Sequence, residues 1–368
     1  MRLPRPRSHP VWPPRFRRVL STLEDAVESS LIPGAVVSVG RAKGPLLTAP
    51  MGKRAVLPRK EAMTAGTIFD LASLTKPMVT APLLLERAVR GELSTLDPLE
   101  RHLPETRGFP IGAIPLHMLL THTAGFVPDN PIEDYATSKA SLLHAIAREP
   151  LESEPGSRFV YSDVGYVLLQ LVIERHARQR LDRVAETELL GPLGYRHTRF
   201  GIRPEHLART APTERDRGRF LRGRVHDPRA RSRALGGVGG HAGMFGTAAE
   251  VGRFCEMLLS GGSVRRRRVL SPETVRAMTA DQCGGNLGVR RSFGFDIESP
   301  YSAPRGLRFS RNSFGHSGWT GVSLWIDPDA DAYVVLLTNA IHPDGHKDLK
   351  ALRAEVSTRA AEALGIKG

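Results

Sequence analysis

Short apolar runs lie near both ends of the chain and are bounded by turn residues, which is typical of buried strands. Near the start they cover residues 35–39 and 46–48. Near the end they cover residues 322–326 and 332–337, separated by an Asp/Pro-rich segment. This last pair predicts a β-hairpin, because Asp and Pro favour tight turns between strands.

Helical periodicity occupies most of the chain between these strands. Residues 19–29 and 347–364 predict an opening and a closing helix, and residues 73–89 predict a helix that ends at Gly91. The middle region, about residues 92–235, reads as mainly helical with Pro and Gly breaks. Strands at both ends with helices between them predict one α+β domain over residues 19–368, its antiparallel sheet built from both chain ends and flanked by helices. No internal repeat is evident.

Composition fits an enzyme-sized globular protein. Of the 368 residues, 40% are hydrophobic and 24% are charged, and no run of eighteen apolar residues predicts a membrane span. The first eighteen residues hold six Arg and five Pro and lack the apolar stretch of a secretory signal. We expect a disordered tail over residues 1–18 and a cytoplasmic protein, or a periplasmic or extracellular one if the true start codon lies upstream. Cys255 and Cys283 form no metal-binding or disulfide pattern.

The net charge of +14 is concentrated in the first eighteen residues, in Arg265–Arg268 and in residues 203–233. A basic surface of this size is one signature of nucleic-acid binding. Aromatic residues do not interleave with these Arg runs, however, and no helix-turn-helix or zinc-finger spacing is present. We therefore expect exposed Arg-rich loops and no nucleic-acid partner.

The chain contains one Ser-x-x-Lys sequence, Ser73-Leu74-Thr75-Lys76. If Ser73 opens a helix, Lys76 lies one turn later on the same face. A serine hydroxyl is a weak nucleophile until a nearby base takes its proton, and a lysine can do so when its surroundings lower its pKa. The spacing therefore makes Ser73 a candidate nucleophile.

Two later segments contain candidate partners for this serine. Tyr161 follows a turn at Pro155-Gly156 and precedes an apolar run, so it can project from a loop at a helix start. The Gly-rich segment Ser313–Gly321 lies directly before the predicted hairpin. A small-residue strand lets a substrate backbone approach closely, and its amides can point at an oxyanion.

Together the three segments resemble the serine β-lactamase and penicillin-binding-protein-like hydrolases, in particular the class C-like branch that also holds D-alanyl-D-alanine carboxypeptidases and carboxylesterases. The resemblance extends over about residues 32–339 and includes the segments Leu119–Gly125 and Ala234–Gly243. It implies the β-lactamase/transpeptidase-like fold. It also implies no cofactor and no metal.

The resemblance assigns roles to individual residues. Ser73 would be the acylated nucleophile, Lys76 its proton acceptor, and Tyr161 a second acid/base group; the handling of protons in this family is itself disputed. The backbone amides of Ser73 and Trp319 would form the oxyanion hole. The remaining predicted substrate-binding residues are Asp163, His316, Ser317 and Gly318.

Two positions depart from the family pattern. Asp163 stands where an Asn is usual, and when ionised it can pair with Lys76 and raise the pKa of that lysine, which disfavours a neutral base. His316-Ser317-Gly318 stands where β-lactamases have Lys-Thr-Gly, so the permanent positive charge for a substrate carboxylate is missing. Some carboxypeptidases of the family also carry His at this position.

Other motifs have simpler structural interpretations. The Gly236–Gly243 segment lacks the third glycine of a nucleotide-binding loop, and we expect it to lead into a helix capped by Thr247. His122 and His241 are interpreted as hydrogen-bonded structural histidines. His226-Asp227 lacks the Gly-x-Ser-x-Gly partner of a triad.

The sequence thus predicts a serine hydrolase acting through an acyl-enzyme on Ser73, with an ester, amide or peptide of small size as substrate. An esterase or amidase is preferred. The alternatives are a D-alanyl-D-alanine carboxypeptidase, a class C-like β-lactamase, or a non-catalytic binding protein of the same fold.

Overall fold

The two ends of the chain meet in one antiparallel sheet. The computed structural model describes residues 12–285, 287–343 and 345–367. Its strands are β1 Gly34–Arg41, β2 Gly44–Ala55, β3 Glu61–Ala62, β4 Phe69–Asp70, β5 Arg199–Phe200, β6 Arg215–Asp216, β7 Arg219–Phe220, β8 Met244–Gly246, β9 Ser263–Val264, β10 Arg267–Arg268, β11 Arg290–Arg291, β12 Asp296–Glu298, β13 Phe314–Ser317, β14 Ser323–Asp327 and β15 Ala332–Thr338.

Eight of these strands form the main sheet, in the order β11-β12-β13-β14-β15-β1-β2-β3. The predicted hairpin is confirmed as β14 and β15, which pair from Ser323↔Leu336 to Asp327↔Ala332. β1 then pairs with β15 on one side and β2 on the other, and so joins the two ends of the chain. The predicted α+β class, with a sheet built from both chain ends, is confirmed.

Helices cover both faces of this sheet. They are α1 Arg17–Glu28, α2 Ala81–Val89, α3 Leu99–His102, α4 Leu116–Thr121, α5 Lys139–Arg148, α6 Asp163–Ala177, α7 Leu181–Ala185, α8 Ala248–Leu259, α9 Pro272–Thr279 and α10 Lys350–Ala363. The predicted mainly helical middle region contains α3 to α7, and β5 to β7 are its only strands among the described residues. Among all the described residues, no helix is both long and apolar enough to cross a membrane.

Alternate residues of β1 pack into different hydrophobic cores, as the two-residue period of a strand requires. Val37 and Val39 face α1 and α10, where they join Leu23 and Val356. Val36 faces the opposite side and joins the larger core with α2, α6 and α8. Each fully buried Val side chain contributes about 1.5–3 kcal/mol, so both faces stabilise the sheet.

Helical structure is present before the predicted tail boundary at residue 18. A 3-10 turn, Pro14–Phe16, leads directly into α1 at Arg17. Phe16 is fully buried in the core with α1 and α10. Trp12 packs against the same core, so apolar side chains anchor this Pro/Arg-rich stretch, which composition alone did not indicate. Residues 1–11 of the predicted tail lie outside the described residues.

Candidate active site

Ser73 lies in a tight turn at the start of a long helical segment. A 3-10 turn, Ala72–Leu74, passes into a π-helical stretch, Lys76–Thr80, and then into α2. The sequence predicted a regular helix opening at Ser73; the structure places the serine in the irregular turn before it. Irregular helix geometry of this kind often marks functional sites.

The residue before the serine is held in a strained conformation. Ala72 has φ +46°, in the left-handed region that non-glycine residues rarely adopt. The buried Asp70 carboxylate stabilises this turn by accepting hydrogen bonds from the Ala72 amide at 2.9 Å and from the His226 amide at 2.8 Å. Burial raises the pKa of Asp70, although these amide donors oppose the shift. Sequence analysis did not identify Asp70 as part of the site.

Lys76 is fully buried and its ammonium reaches the serine. The Nζ atom donates to Ser73 Oγ at 3.1 Å and to the His241 carbonyl at 3.2 Å. The predicted Ser-Lys pair is therefore in contact. The Gly236–Gly243 segment thus borders Lys76 through its His241 carbonyl. This segment also packs closely on α6, since a Cβ atom at Gly240 would lie 2.2 Å from the Tyr166 carbonyl oxygen.

Tyr161 lies in the loop just before α6, as predicted, and completes the cluster. The Lys76 Nζ atom is 4.9 Å from the centre of its ring, and its hydroxyl is within hydrogen-bonding reach of both Lys76 and Ser73. Burial raises the pKa of Tyr161, and the neighbouring Lys76 charge offsets this only in part. The ring stacks on His122 with centroids 4.4 Å apart.

His122 holds this loop in place. It has φ +61° at the end of α4, and its Nδ1 atom accepts the Ser162 amide proton at 3.1 Å. Burial lowers the pKa of His122 well below its ordinary value, and nearby cationic groups add to the effect. The predicted structural role fits a neutral ring that accepts a hydrogen bond next to Tyr161.

Asp163 contacts Lys76 directly. Its Oδ1 atom lies 2.6 Å from the Lys76 Nζ atom, and it is the first residue of α6. Burial alone would lower the pKa of Lys76, but the Asp163 charge and the Tyr161 hydroxyl more than offset it, so the pKa of Lys76 lies above its ordinary value. Lys76 is therefore positively charged in this arrangement.

The His316 strand borders the serine on its other side. His316 is buried on β13, its ring centre 5.9 Å from that of Tyr161, and its Nδ1 atom is 2.8 Å from the Ser317 carbonyl. Burial lowers the pKa of His316 well below its ordinary value, and the Lys76 and Arg291 charges lower it further. The triplet therefore supplies no permanent positive charge.

The segment after this strand is fastened to the serine turn. The Thr320 hydroxyl donates to the Asp70 carbonyl at 2.8 Å. A Cβ atom at Gly318 would lie 2.7 Å from the Val322 Cγ2 atom and 3.0 Å from the Ala72 Cβ atom, so glycine allows this close approach without a shift of these neighbours. These contacts bring Trp319, 57% exposed, beside the turn that carries Ser73. The two amides predicted for the oxyanion hole thus lie on adjoining segments.

All eight predicted site residues lie at or around one cavity of about 700 Å³, a typical size for a small-molecule site. Ser73, Tyr161, Asp163 and the His316–Trp319 segment line it, and Lys76 lies behind Ser73. Arg291 also lines the cavity, and sequence analysis missed it. The position of Arg291 follows from strand pairing, which no local motif indicates.

One group of side chains could accept a cation. Ligand atoms of Asp163, Asp227 and His241 lie within 4.8 Å of one another. The His241 Nε2 atom is 3.0 Å from Asp227, and Lys76 already pairs with Asp163. Asp163 and Asp227 therefore each already contact a nitrogen of a neighbouring side chain. His241 forms this hydrogen-bond contact through its side chain, as a structural histidine would.

Comparison with known proteins places this site in a family. The family model described as Beta-lactamase matches residues 19–358. A protein from Escherichia coli strain K12, named "Putative D-alanyl-D-alanine carboxypeptidase", is 32% identical over 310 residues, which cover 76% of this chain and 70% of that protein. A relative of the same name from Salmonella agona is 31% identical over 310 residues, which cover 76% of this chain and 71% of that protein.

Solved structures share the fold at lower identity. The hydrolase EstCE1, described with promiscuous acyltransferase activity, superposes with a TM-score of 0.75 at 23% identity, covering 94% of this chain and 98% of its own. A penicillin-binding protein homologue from Caulobacter crescentus has a TM-score of 0.76 at 21% identity, and the match covers 96% of this chain and 99% of the homologue. A class C β-lactamase has a TM-score of 0.76 at 19% identity, and the match covers 95% of this chain and 96% of the β-lactamase. The resemblance seen in the sequence is thus confirmed, and the chain belongs to the Beta-lactamase family, with its serine hydrolase fold.

Proposed function

We propose that this protein is a serine hydrolase that cleaves ester or amide bonds through an acyl-enzyme on Ser73. The observation that carries the proposal is the 3.1 Å contact between the Lys76 Nζ atom and the Ser73 Oγ atom, with the Tyr161 hydroxyl in reach of both. A nucleophile, a proton acceptor and a second acid/base group are the parts that two-step acyl transfer requires.

In the first step the Ser73 Oγ atom attacks the substrate carbonyl carbon, and the Ser73 proton passes to Lys76. The amides of Ser73 and Trp319 stabilise the negative charge that develops on the carbonyl oxygen. The bond to the leaving group then breaks, and Tyr161 delivers a proton to that group. In the second step water loses a proton to Tyr161 and attacks the acyl carbon, the bond between that carbon and Ser73 Oγ breaks, and Lys76 returns its proton to Ser73 Oγ.

The ion pair with Asp163 sets the condition under which Lys76 acts as the base. Because the Asp163 carboxylate favours the charged form of Lys76, the neutral lysine is a minor species at neutral pH. The rate is then expected to rise with pH as the neutral form becomes populated. Asp70 supports this step: its carboxylate accepts the amide proton of the strained residue Ala72 and so holds Ser73 at the edge of the cavity.

An esterase or amidase acting on small acyl groups is the preferred activity, because the buried, neutral His316 provides no permanent charge for a carboxylate. A D-alanyl-D-alanine carboxypeptidase is the second candidate. It is favoured by the names of the relatives at 31–32% identity and by a cation, Arg291, that lines the cavity from another strand.

A substrate panel tests the proposal. Purified protein is assayed with p-nitrophenyl esters of increasing chain length, with nitrocefin and with D-alanyl-D-alanine peptides, and Ser73→Ala serves as the matched inactive control. We expect turnover of at least one ester or amide that disappears in Ser73→Ala. Binding without turnover of any substrate would favour the non-catalytic alternative.

A further inference from the structure

A short hairpin carries four consecutive exposed arginines, Arg265–Arg268, which form the arginine tip. Its strands, β9 and β10, make a two-stranded sheet of their own and pair through Val264↔Arg267. At its base, the amides of Val269 and Leu270 donate to the Gly262 carbonyl, and Leu270 is buried. A fixed base therefore presents the arginine tip to solvent.

Residue type and backbone geometry disagree at the turn of this hairpin. Arg265 has φ +47° and Arg266 has φ +66°, both in the left-handed region. Positive φ at both central residues is the geometry of a type I′ turn, for which Asn-Gly is strongly preferred. Arginine is strained at either position, and the two exposed side chains bury no surface in return. Arginines placed against the backbone preference point to a binding role.

The charges of the arginine tip lack ion-pair partners. Within the described parts of the chain, none of the four guanidinium groups forms an ion pair, and only Arg268 forms a side-chain hydrogen bond, to the Gly261 carbonyl. The carboxylates in electrostatic range are Glu256 and Glu273, and both already have other partners. The hairpin thus offers a compact group of positive charges to an external anion.

The shape and chemistry of the arginine tip fit a plane of phosphate groups. A guanidinium group binds two phosphate oxygens at once through parallel N–H donors. Proteins that bind single-stranded nucleic acids add a groove and aromatic side chains on which the bases stack. Residues 255–292 contain no Phe, Tyr or Trp, and the charges lie at the end of a hairpin and not in a groove. Lipid headgroups require neither feature.

We propose that the arginine tip docks this protein onto membranes that contain anionic phospholipids, with the guanidinium groups of Arg265–Arg268 binding headgroup phosphates. The contact is peripheral and electrostatic, so salt weakens it. The proposal is independent of the hydrolase function, because the arginine tip does not line the cavity that contains Ser73.

Co-sedimentation with vesicles tests this surface. We expect binding to phosphatidylcholine vesicles that contain about one third phosphatidylglycerol, and little binding to phosphatidylcholine alone. Changing all four tip arginines to Gln should lower the partition coefficient about 100-fold or more, since each arginine near such a surface contributes about fivefold. The matched control removes the same charge from four exposed arginines that already pair with carboxylates, and it should bind nearly as the wild type does: Arg158→Gln, Arg175→Gln, Arg180→Gln and Arg311→Gln.

Two double variants of the turn separate binding from folding. Arg265→Asn/Arg266→Gly supplies the preferred turn residues, so it should raise the melting temperature while lowering the partition coefficient about 25-fold. Arg265→Lys/Arg266→Lys keeps the charge and should keep most of the binding without the gain in melting temperature. This opposition between stability and binding is what a binding role predicts and a structural role does not.

Three results would overturn the proposal. Wild-type vesicle binding in the four-Gln variant would assign membrane attachment to another basic segment. Equal binding to both kinds of vesicle would exclude recognition of anionic headgroups. Tip-dependent binding of a single-stranded oligouridine, measured by fluorescence anisotropy, together with no vesicle binding would make the arginine tip a nucleic-acid contact.

Discussion

The Asp163 carboxylate lies 2.6 Å from the Lys76 ammonium, at the N-terminus of α6 and beside the serine that the lysine contacts. Burial lowers the pKa of Lys76, but the Asp163 charge and the Tyr161 hydroxyl outweigh burial and raise it. An Asn at this position, as is usual in the family, would lack that charge. An Asp at this position therefore changes the charge environment of Lys76, while the contact of Lys76 with Ser73 is kept.

Replacing Asp163 with Asn should shift the pH dependence of catalysis. Without the carboxylate, burial is less opposed, so the pKa of Lys76 falls and its neutral form gains population near neutral pH. If Lys76 is the base, the acidic limb of kcat/KM against pH moves to lower pH by about one unit or more. The measurement is a pH–rate profile of both proteins on one ester substrate.

The matched control is Asp182→Asn, which removes a carboxylate from α7 that pairs with Arg180 on the surface. Its profile should coincide with that of the wild type. An Asp163→Asn profile that also coincides would show that Lys76 does not limit the rate as a neutral base, and the proton acceptor would then have to be Tyr161.

Tyr161→Phe should slow turnover by about a hundredfold or more, the usual scale for loss of a general acid/base group. The ring and its stacking on His122 remain, so the apparent KM should change little. Steady-state kinetics on an ester and on an amide with a poorer leaving group measure both parameters. Wild-type turnover on both substrates would assign Tyr161 to cavity packing alone.

Glu61 is expected to stabilise the sheet edge in a pH-dependent way. Its side chain on β3 is 10% exposed and pairs with Arg54 on β2 and with Arg222. Burial raises the pKa of Glu61, but its hydrogen bonds to these arginines prevail and lower it to about 2. A lowered carboxyl pKa contributes stability above the unfolded pKa of about 4.3 and loses it as the pH falls towards 2.

Glu61→Gln should therefore lower the free energy of unfolding by about 1–2 kcal/mol at pH 7, after allowance for solvent screening, and by little at pH 2.5. Urea unfolding at both pH values measures this difference. Glu273→Gln, which breaks an exposed pair with Arg276, is the control without measurable effect. An equal loss at both pH values would indicate lost packing instead of a lost ion pair.

The features that the sequence predicted correctly are local. Strand β1, the β14–β15 hairpin and the Ser73-Lys76 contact each arise from periodicity or spacing within a few residues. The sequence also indicated that Asp163 can pair with Lys76, because the two residues have opposite charges and belong to motifs of the same site. These are interactions whose partners a motif already brings together.

Features that depend on long-range packing were not predictable in the same way. Arg291 reaches the cavity only through the pairing of β11, β12 and β13, which are distant from the Ser73 turn in sequence. Asp70 acts through the shape of the turn that follows it, because it accepts the amide of strained Ala72. No charge pattern or periodicity distinguishes either residue from an ordinary surface or core position.

The most direct measurement of the central claim is intact-protein and peptide mass spectrometry after reaction with a fluorophosphonate. We predict a single covalent adduct on Ser73 in the wild type, with no adduct on Ser73→Ala, whose circular dichroism and melting temperature should match those of the wild type. The wild type should also lose hydrolytic activity in proportion to labelling. An adduct on another residue, or activity that persists in Ser73→Ala, would contradict the assignment of Ser73 as the acylated nucleophile.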